Sequence, residues 1–308
     1  MLFRYIVTGA IAACAAGAVG AALLLPSRPA HARAAARKHV LVVTVTKGFR
    51  HGSIPVAEKT IESLGASTGK WDTDFVRTDA DMAEKMTAAA LKKYDAVIFA
   101  NTTGVLPLPD PQGFLDYINA GHGFAAMHSG SDTFHQWPGS SSPVTPYVDM
   151  LGGEFQEHHN QCAIDAHIAD PANPALAPLT KKSAMVTADA VEARDARKDG
   201  SATDGKVWKV FDEIYIQKNN DPSRVHTLLW LDKWPNDGSP NANKPELHLI
   251  SWTKSYGKGR VFYTELGHRD EVWNDPLYQA HITGGIEFAL GLAKGSTTPG
   301  NVTSISGQ

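Results

Sequence analysis

The chain has 308 residues, with 29 Lys and Arg against 32 Asp and Glu, a formal net charge of −3 and two cysteines. That charge argues against a nucleic-acid or anionic-membrane surface. The length is ample for one large α/β domain with its own core.

Arg4 is followed by an uncharged, Ala-rich run from Tyr5 to Leu25, then Pro26. Ala30-His31-Ala32 supplies a small-x-small cleavage site, so residues 1–32 read as a secretory signal. The length of the apolar run also admits an uncleaved signal anchor, and Ile11-Ala12-Ala13-Cys14 admits a lipoprotein. Cleavage after Ala32 removes two arginines and no acids, giving 27 − 32 = −5 and leaving only Cys162. Zinc sites built from four cysteines, or from two cysteines and two histidines, are thereby excluded. The mature domain is expected to be secreted, periplasmic or at the cell surface, with no further span of membrane length.

Val40 to Val45 is a continuous apolar, β-branched run, the pattern of a strand covered on both faces. It leads into the polar, Gly-containing Thr46 to Gly52, and then a helix with Ile54, Ala57, Ile61 and Leu64 on one face. A short strand is predicted over Asp74–Thr78, a helix over Met86–Tyr94, a buried strand over Ala96–Ala100 and a helix over Gln112–Asn119. Phe124 to Met127 is a fourth strand, ending abruptly in His128-Ser129-Gly130. Residues 131–185 are rich in Gly, Pro, Ser and Asn and read as loop. Shorter strands follow over Val210–Ile216, Val225–Leu231 and Leu247–Trp252, with Asp189–Gly205 an exposed excursion. Tyr256-Gly257-Lys258-Gly259 reads as a hairpin turn into Arg260–Thr264, and a helix over Pro276–Leu292 precedes a Gly/Ser/Thr-rich tail. Alternating strands and helices predict an α/β fold with a mostly parallel sheet and helices on both faces.

Histidine at the end of a strand is the recurring motif. His51 follows the first strand, His128 the fourth and His268 the last, while His158 and His159 sit in the loop-rich section. In a parallel sheet such ends share an edge, where ligands bind. Neutral imidazoles serve as metal ligands and as acids or bases near neutral pH. His122, His135, His167, His226, His248 and His281 lack this context and read as structural or surface residues. In Asp212-Glu213-Ile214-Tyr215, alternation along a strand puts Glu213 and Tyr215 on one face and leaves Asp212 solvated. Glu213 is the candidate base, and an exposed charged edge strand is the bland alternative. Trp208, Trp230, Trp234, Trp252 and Trp273 suit sugar rings and a core equally well. Dinucleotide, P-loop and Gly-x-Ser-x-Gly signatures are absent, and Cys162 has no elbow around it.

With these residues the chain resembles the ThuA-like family, associated with trehalose utilisation, within the class I glutamine amidotransferase-like superfamily. The matching segments are Gly48–His51, Met127–Asp132, Leu151–Phe155 with His158, Asp212–Tyr215 and, most specific, Tyr256–His268. The resemblance spans residues 38–293, with 294–308 left as a flexible tail. It implies a flavodoxin-like, doubly wound core, elaborated by loops and extra C-terminal strands. His128 would stand where amidotransferases keep their nucleophilic cysteine, and His268 near their catalytic histidine. Loss of the thiol argues against glutamine hydrolysis, and the family is linked to the catabolism of sugars, including keto-sugars.

The expected function is therefore an exported enzyme acting on a keto-sugar or glycoside as an isomerase, lyase or hydrolase. A non-catalytic sugar-binding or sensing protein is the alternative. His128, His268 and Glu213 are the catalytic candidates, and His51, Asp132, Tyr215 and Arg50 the substrate-binding ones. A divalent metal such as zinc is permitted but not required, with His51, His128, His158 and His268 as ligands. The expected partner is a small-molecule carbohydrate, and self-association is left open.

Overall fold

The apolar runs over Val40–Val43, Ala96–Ala100 and Phe124–Met127 lie side by side in one sheet. The computed structural model describes residues 36–181 and 201–305, with Met1, Leu2 and Gly9. The predicted signal over residues 1–32, apart from those three, and most of the predicted excursion at Asp189–Gly205 lie outside the described residues. Contacts part the chain into Met1–Ala35 and Ala36–Gln308, and the second unit holds every element named below.

Strands β1 (Lys38–Val43), β2 (Trp71–Val76), β3 (Ala96–Ala100) and β4 (Gly123–Met127) pair in parallel in the order β2-β1-β3-β4. β12 (Gly259–Thr264) joins as a fifth parallel strand beside β4. This is the flavodoxin-like arrangement. All residues of β3 and β4 are buried, as strands covered on both faces must be. Side chains of β1 alternate between two cores. Val40 and Val42 pack with Ala57 and Ile61 of α1 (Ile54–Thr68) and with Ile282 and Ile286 of a C-terminal helix. Leu41 and Val43 belong to the core holding Met82 of α2 (Asp79–Lys85), Leu91 of α3 (Ala88–Leu91) and Phe114 of α4 (Pro111–Asn119).

Of the predicted helix over Met86–Tyr94 only α3 is helical, and a separate helix, α2, precedes it. A capping box between Thr78 and Asp81 starts α2 early, and Thr87 caps α3 separately. The stretch read as loop is also more ordered than its composition implied. It holds α5 (Pro146–Leu151), β5 (Glu154–His158) and β6 (Cys162–Ile168), whose buried residues Cys162, Ile164, Ala166 and Ile168 alternate with less buried ones.

Beyond β12 the sheet continues antiparallel through β11 (Pro245–Tyr256), β10 (His226–Lys233), β6, β8 (Val207–Asp212) and β7 (Ala202–Thr203). β5 leaves this sheet to pair with β9 (Tyr215–Lys218) in a separate two-stranded ribbon. The predicted strand Val210–Ile216 is thus cut in two, with Glu213 and Ile214 at the junction. Two C-terminal helices, α6 (Asp270–Asn274) and α7 (Pro276–Ala289), close the fold. The segment after α7 is not a free tail within the described residues. His226 hydrogen-bonds the Thr298 carbonyl, Thr227 and Asn301 exchange two hydrogen bonds, and Val302 is buried. Small polar residues satisfy the extended backbone along β10 without a hydrophobic run to announce it.

A candidate metal and acid/base centre

β1, β4 and β12 run parallel, so their carboxyl ends open on one edge, and each is followed by a histidine of the centre. His128 opens a 3-10 turn directly after β4 with φ of 49°, a left-handed backbone that a non-glycine residue seldom adopts. This is the strained strand-to-helix elbow expected from Met127–Gly130. Gly130 is required in it, because a Cβ there would lie 2.8 Å from the Ala126 Cβ. Gly267, at φ of 125°, performs the matching turn before His268. Its N–H donates to Asp212 Oδ2 at 2.6 Å, and its carbonyl accepts from Asn101 Nδ2 at 2.9 Å and Trp273 Nε1 at 2.7 Å.

His51, His128, His268 and Glu213 each place one ligand atom in a cluster spanning no more than 4.8 Å. His128 Nε2 lies 3.2 Å from both His51 Nε2 and His268 Nδ1. Glu213 Oε2 stands 3.1 Å from His268 Nδ1 and 3.6 Å from His128 Nε2. His128 is fully buried, and His51 and Glu213 are nearly so. The tautomer of His128 follows from its surroundings. A carbonyl only accepts, so Nδ1–H donates to the Glu265 carbonyl at 2.8 Å and the lone pair of Nε2 faces the cluster. The Tyr215 hydroxyl donates to that lone pair at 2.7 Å. His51 Nδ1 meets Ser129 Oγ at 3.2 Å, which leaves its Nε2 to face inward.

Electrostatics divides these groups. Burial, reinforced by the neighbouring His268, lowers His51 to about 4. Burial and the charges of His51 and His268 push His128 well below the usual histidine value. For His268 burial works in the same direction, but the hydrogen bond and charge of Glu213 outweigh it and raise the imidazole. The cluster thus biases His51 and His128 toward the neutral form and His268 toward the protonated one. Burial also keeps the Tyr215 phenol protonated.

Of the residues singled out from sequence, His51, His128, His268, Glu213 and Tyr215 come together. His158 does not join the four donors. It is about half-exposed, and its Nδ1 lies 3.1 Å from Oε1, the other oxygen of Glu213. Glu213 takes its place in the donor set. Asp132 is outside the cluster, with Oδ1 bound to His135 Nε2 at 2.7 Å. Arg50 is exposed and donates to the Thr44 carbonyl at 3.2 Å. Asp212 is fully buried instead of solvated, and burial raises its carboxyl to about 7. Asp212 shares the buried face of β8 with Trp208 and Val210, and the strand ends there, so one alternation cannot be carried on to Tyr215. The five tryptophans flagged as sugar platforms are all buried in the cores.

Sequence reasoning missed Glu265. It is fully buried, accepts from Tyr215 N at 2.8 Å and from Gln217 Nε2, and has His248 Nε2 3.4 Å away. It therefore anchors β9 through its side chain and orients His128 through its carbonyl. The only signal was a carboxylate placed directly after an apolar strand, inside the motif already quoted.

Solved structures with this architecture include a thua-like protein from Bacteroides uniformis, 17% identical with a TM-score of 0.59, covering 88% of this chain and 99% of that one. A thua-like protein from Parabacteroides merdae is 16% identical with a TM-score of 0.57, covering 88% and 96%. None of the curated proteins matches the sequence. The family model described as "ThuA: Trehalose utilisation" matches residues 39–289, most of the chain. The protein belongs to the ThuA family, with a glutamine amidotransferase-like fold that carries histidine at its elbow.

Proposed function

We propose that the protein is a carbohydrate-active enzyme working on a keto-sugar or keto-glycoside by acid/base chemistry, with a divalent cation such as zinc in the His51–His128–His268–Glu213 cluster. The observation that carries this reading is the convergence of three imidazole nitrogens and one carboxylate oxygen from four distant segments. The donors fit such an ion at the His128 contacts, and the set, which spans up to 4.8 Å, would close in to hold it. The two 3.2 Å nitrogen separations compare with about 3.3 Å between ligand atoms on a tetrahedral ion with bonds of roughly 2.0–2.1 Å. His51 Nε2, His128 Nε2, His268 Nδ1 and Glu213 Oε2 would hold it. Bound there, the ion would supply Lewis acidity toward a carbonyl oxygen.

The chain's own groups then divide the remaining work. Glu213 Oε1 lies outside the donor set, so this oxygen would take the proton from the carbon beside the carbonyl, and His158, whose Nδ1–H faces both it and the His159 carbonyl, would orient it. With an ion on the His128 Nε2 lone pair, the Tyr215 hydroxyl that donates there would be released and, protonated and buried, would donate a hydrogen bond to developing negative charge. Isomerisation, elimination or glycosidic cleavage would follow according to what sits next to the carbanion. Glutamine hydrolysis has no part in this reading. The one cysteine among the described residues is Cys162, whose thiol burial pushes up to about 12.

The test is turnover of keto-disaccharides by zinc-loaded protein. Glu213→Gln is expected to lower it at least 100-fold, the scale of a lost general base. If the loaded wild type turns over none of them while a sugar still raises the melting temperature, a binding or sensing protein is the correct reading. Export belongs to the same proposal, supported by the pattern of residues 1–32. Terminal sequencing of the natural protein should begin at Arg33, and an intact Met1 on a cytosolic protein would refute it.

A further inference from the structure

Phe49 is the only exposed Phe, Tyr or Trp side chain among the described residues, at 65% exposure. It sits in the loop between β1 and His51, on the edge of the sheet that carries the donor cluster. A single exposed apolar side chain means little by itself, but this one is in direct ring contact with a donor of the cluster. The Phe49 ring meets the His51 ring edge-on, with centroids 4.9 Å apart and planes at 82°.

The loop that presents this ring is held firmly. Lys47 N donates to the Thr103 carbonyl at 2.8 Å, Gly48 N to Thr103 Oγ1 at 3.2 Å, and Thr103 Oγ1 to the Phe49 carbonyl at 2.8 Å. Arg50 anchors the far side on Thr44. A fixed backbone thus holds the aromatic ring as a wall projecting into solvent beside a buried polar cluster. Phe155, at the opposite end of the ring cluster, differs. It is half-buried and packed edge-on against Tyr215 at 4.4 Å, so its surface is spent on holding the phenol.

We infer that Phe49 is the stacking surface for a pyranose ring, holding the C–H face of the sugar beside the His51 edge of the cluster. This rests on the carbohydrate reading above and adds the substrate contact that the buried tryptophans cannot make. A sugar suits this wall because one pyranose face is lined by C–H groups for the ring, while its hydroxyls remain free for the imidazoles and Glu213.

The experiment is titration of the zinc-loaded full chain with trehalose, maltose and their keto forms, followed by calorimetry and saturation-transfer NMR. Phe49→Ala and Phe49→Leu are expected to weaken sugar binding about five- to tenfold, the worth of one aromatic contact. Phe49→Tyr should retain it, and the wild-type NMR signal should be strongest at the C–H groups of one face. Zinc affinity should be equal in all four proteins. Equal sugar affinity in the Ala and Leu variants overturns the inference, as does a Tyr variant that falls with them. Parallel loss of zinc affinity overturns it too, by making Phe49 a support for His51. If the wild type binds none of these sugars, the inference falls together with the carbohydrate reading. If it binds them regardless of residue 49, only the inference falls.

Discussion

Two histidine environments face the same ribbon and behave in opposite ways. His128 is enclosed by imidazoles, a phenol and a carbonyl, and burial with like-charged neighbours drives its proton off. His135 is flanked by two carboxylates, with Nε2 2.7 Å from Asp132 and Nδ1 2.6 Å from Glu154. Its pKa is raised, chiefly by the Asp132 hydrogen bond and, against burial, by Glu154. Both ring nitrogens must donate to these acceptors, so His135 is an imidazolium joining the elbow turn to β5. One residue type thus gives a lone-pair donor in one place and a cationic clasp in the other. The neighbours decide which, and of these only Asp132, three residues before His135, stands in the nearby sequence.

Breaking the first environment should have the largest effect. His128→Ala removes the central donor and is expected to lower zinc affinity at least 100-fold by calorimetry, exceeding the roughly 10- to 100-fold cost of losing an outer-shell partner. An unchanged affinity would show that the cluster is not a metal site. Glu265→Gln should come next, because it weakens an anchor that is wholly buried. Denaturant unfolding should show a loss of about 1–3 kcal/mol, accompanied by a roughly tenfold loss of zinc affinity as Tyr215 and the adjoining Glu213 lose their alignment.

The second environment should give the smallest effect and a distinctive pH signature. His135→Gln is expected to cost about 1 kcal/mol, since the clasp is partly solvent-screened. The folded pKa lies above the ordinary 6.5, so the stabilisation is complete below about pH 6.5 and fades as pH rises through the raised value. The groups facing His135 and Glu154 are Asp132, Lys218 and Asn219. The difference between variant and wild type should therefore be clear at pH 6 and shrink by pH 9. A gap that widened with pH would contradict the imidazolium assignment.

The parallel half of the fold was legible because strands covered on both faces are written as unbroken apolar runs, as in Val40–Val43 and Ala96–Ala100. The ribbon was not. β5 reads Glu-Phe-Gln-Glu-His with one buried residue, and β9 buries only Tyr215. Their pairing is held by polar contacts to Glu154 and Glu265 that carry no periodicity. The three strand-end histidines could be gathered from sequence because parallel strands bring their ends to one edge. Exchanging His158 for Glu213 could not be foreseen. It depends on the chain leaving the main sheet at residue 213, where alternation of faces no longer predicts direction.

The four donors lie in segments separated by most of the domain, and the described residues contain no disulfide. A cation held by all four would tie together loops that are otherwise linked by the sheet and a few hydrogen bonds. Occupancy should then be visible as thermal stability, with the melting temperature climbing with the logarithm of free zinc once the dissociation constant is exceeded. In zinc-poor surroundings the same chain would be a softer protein, its cleft edge the first part to loosen.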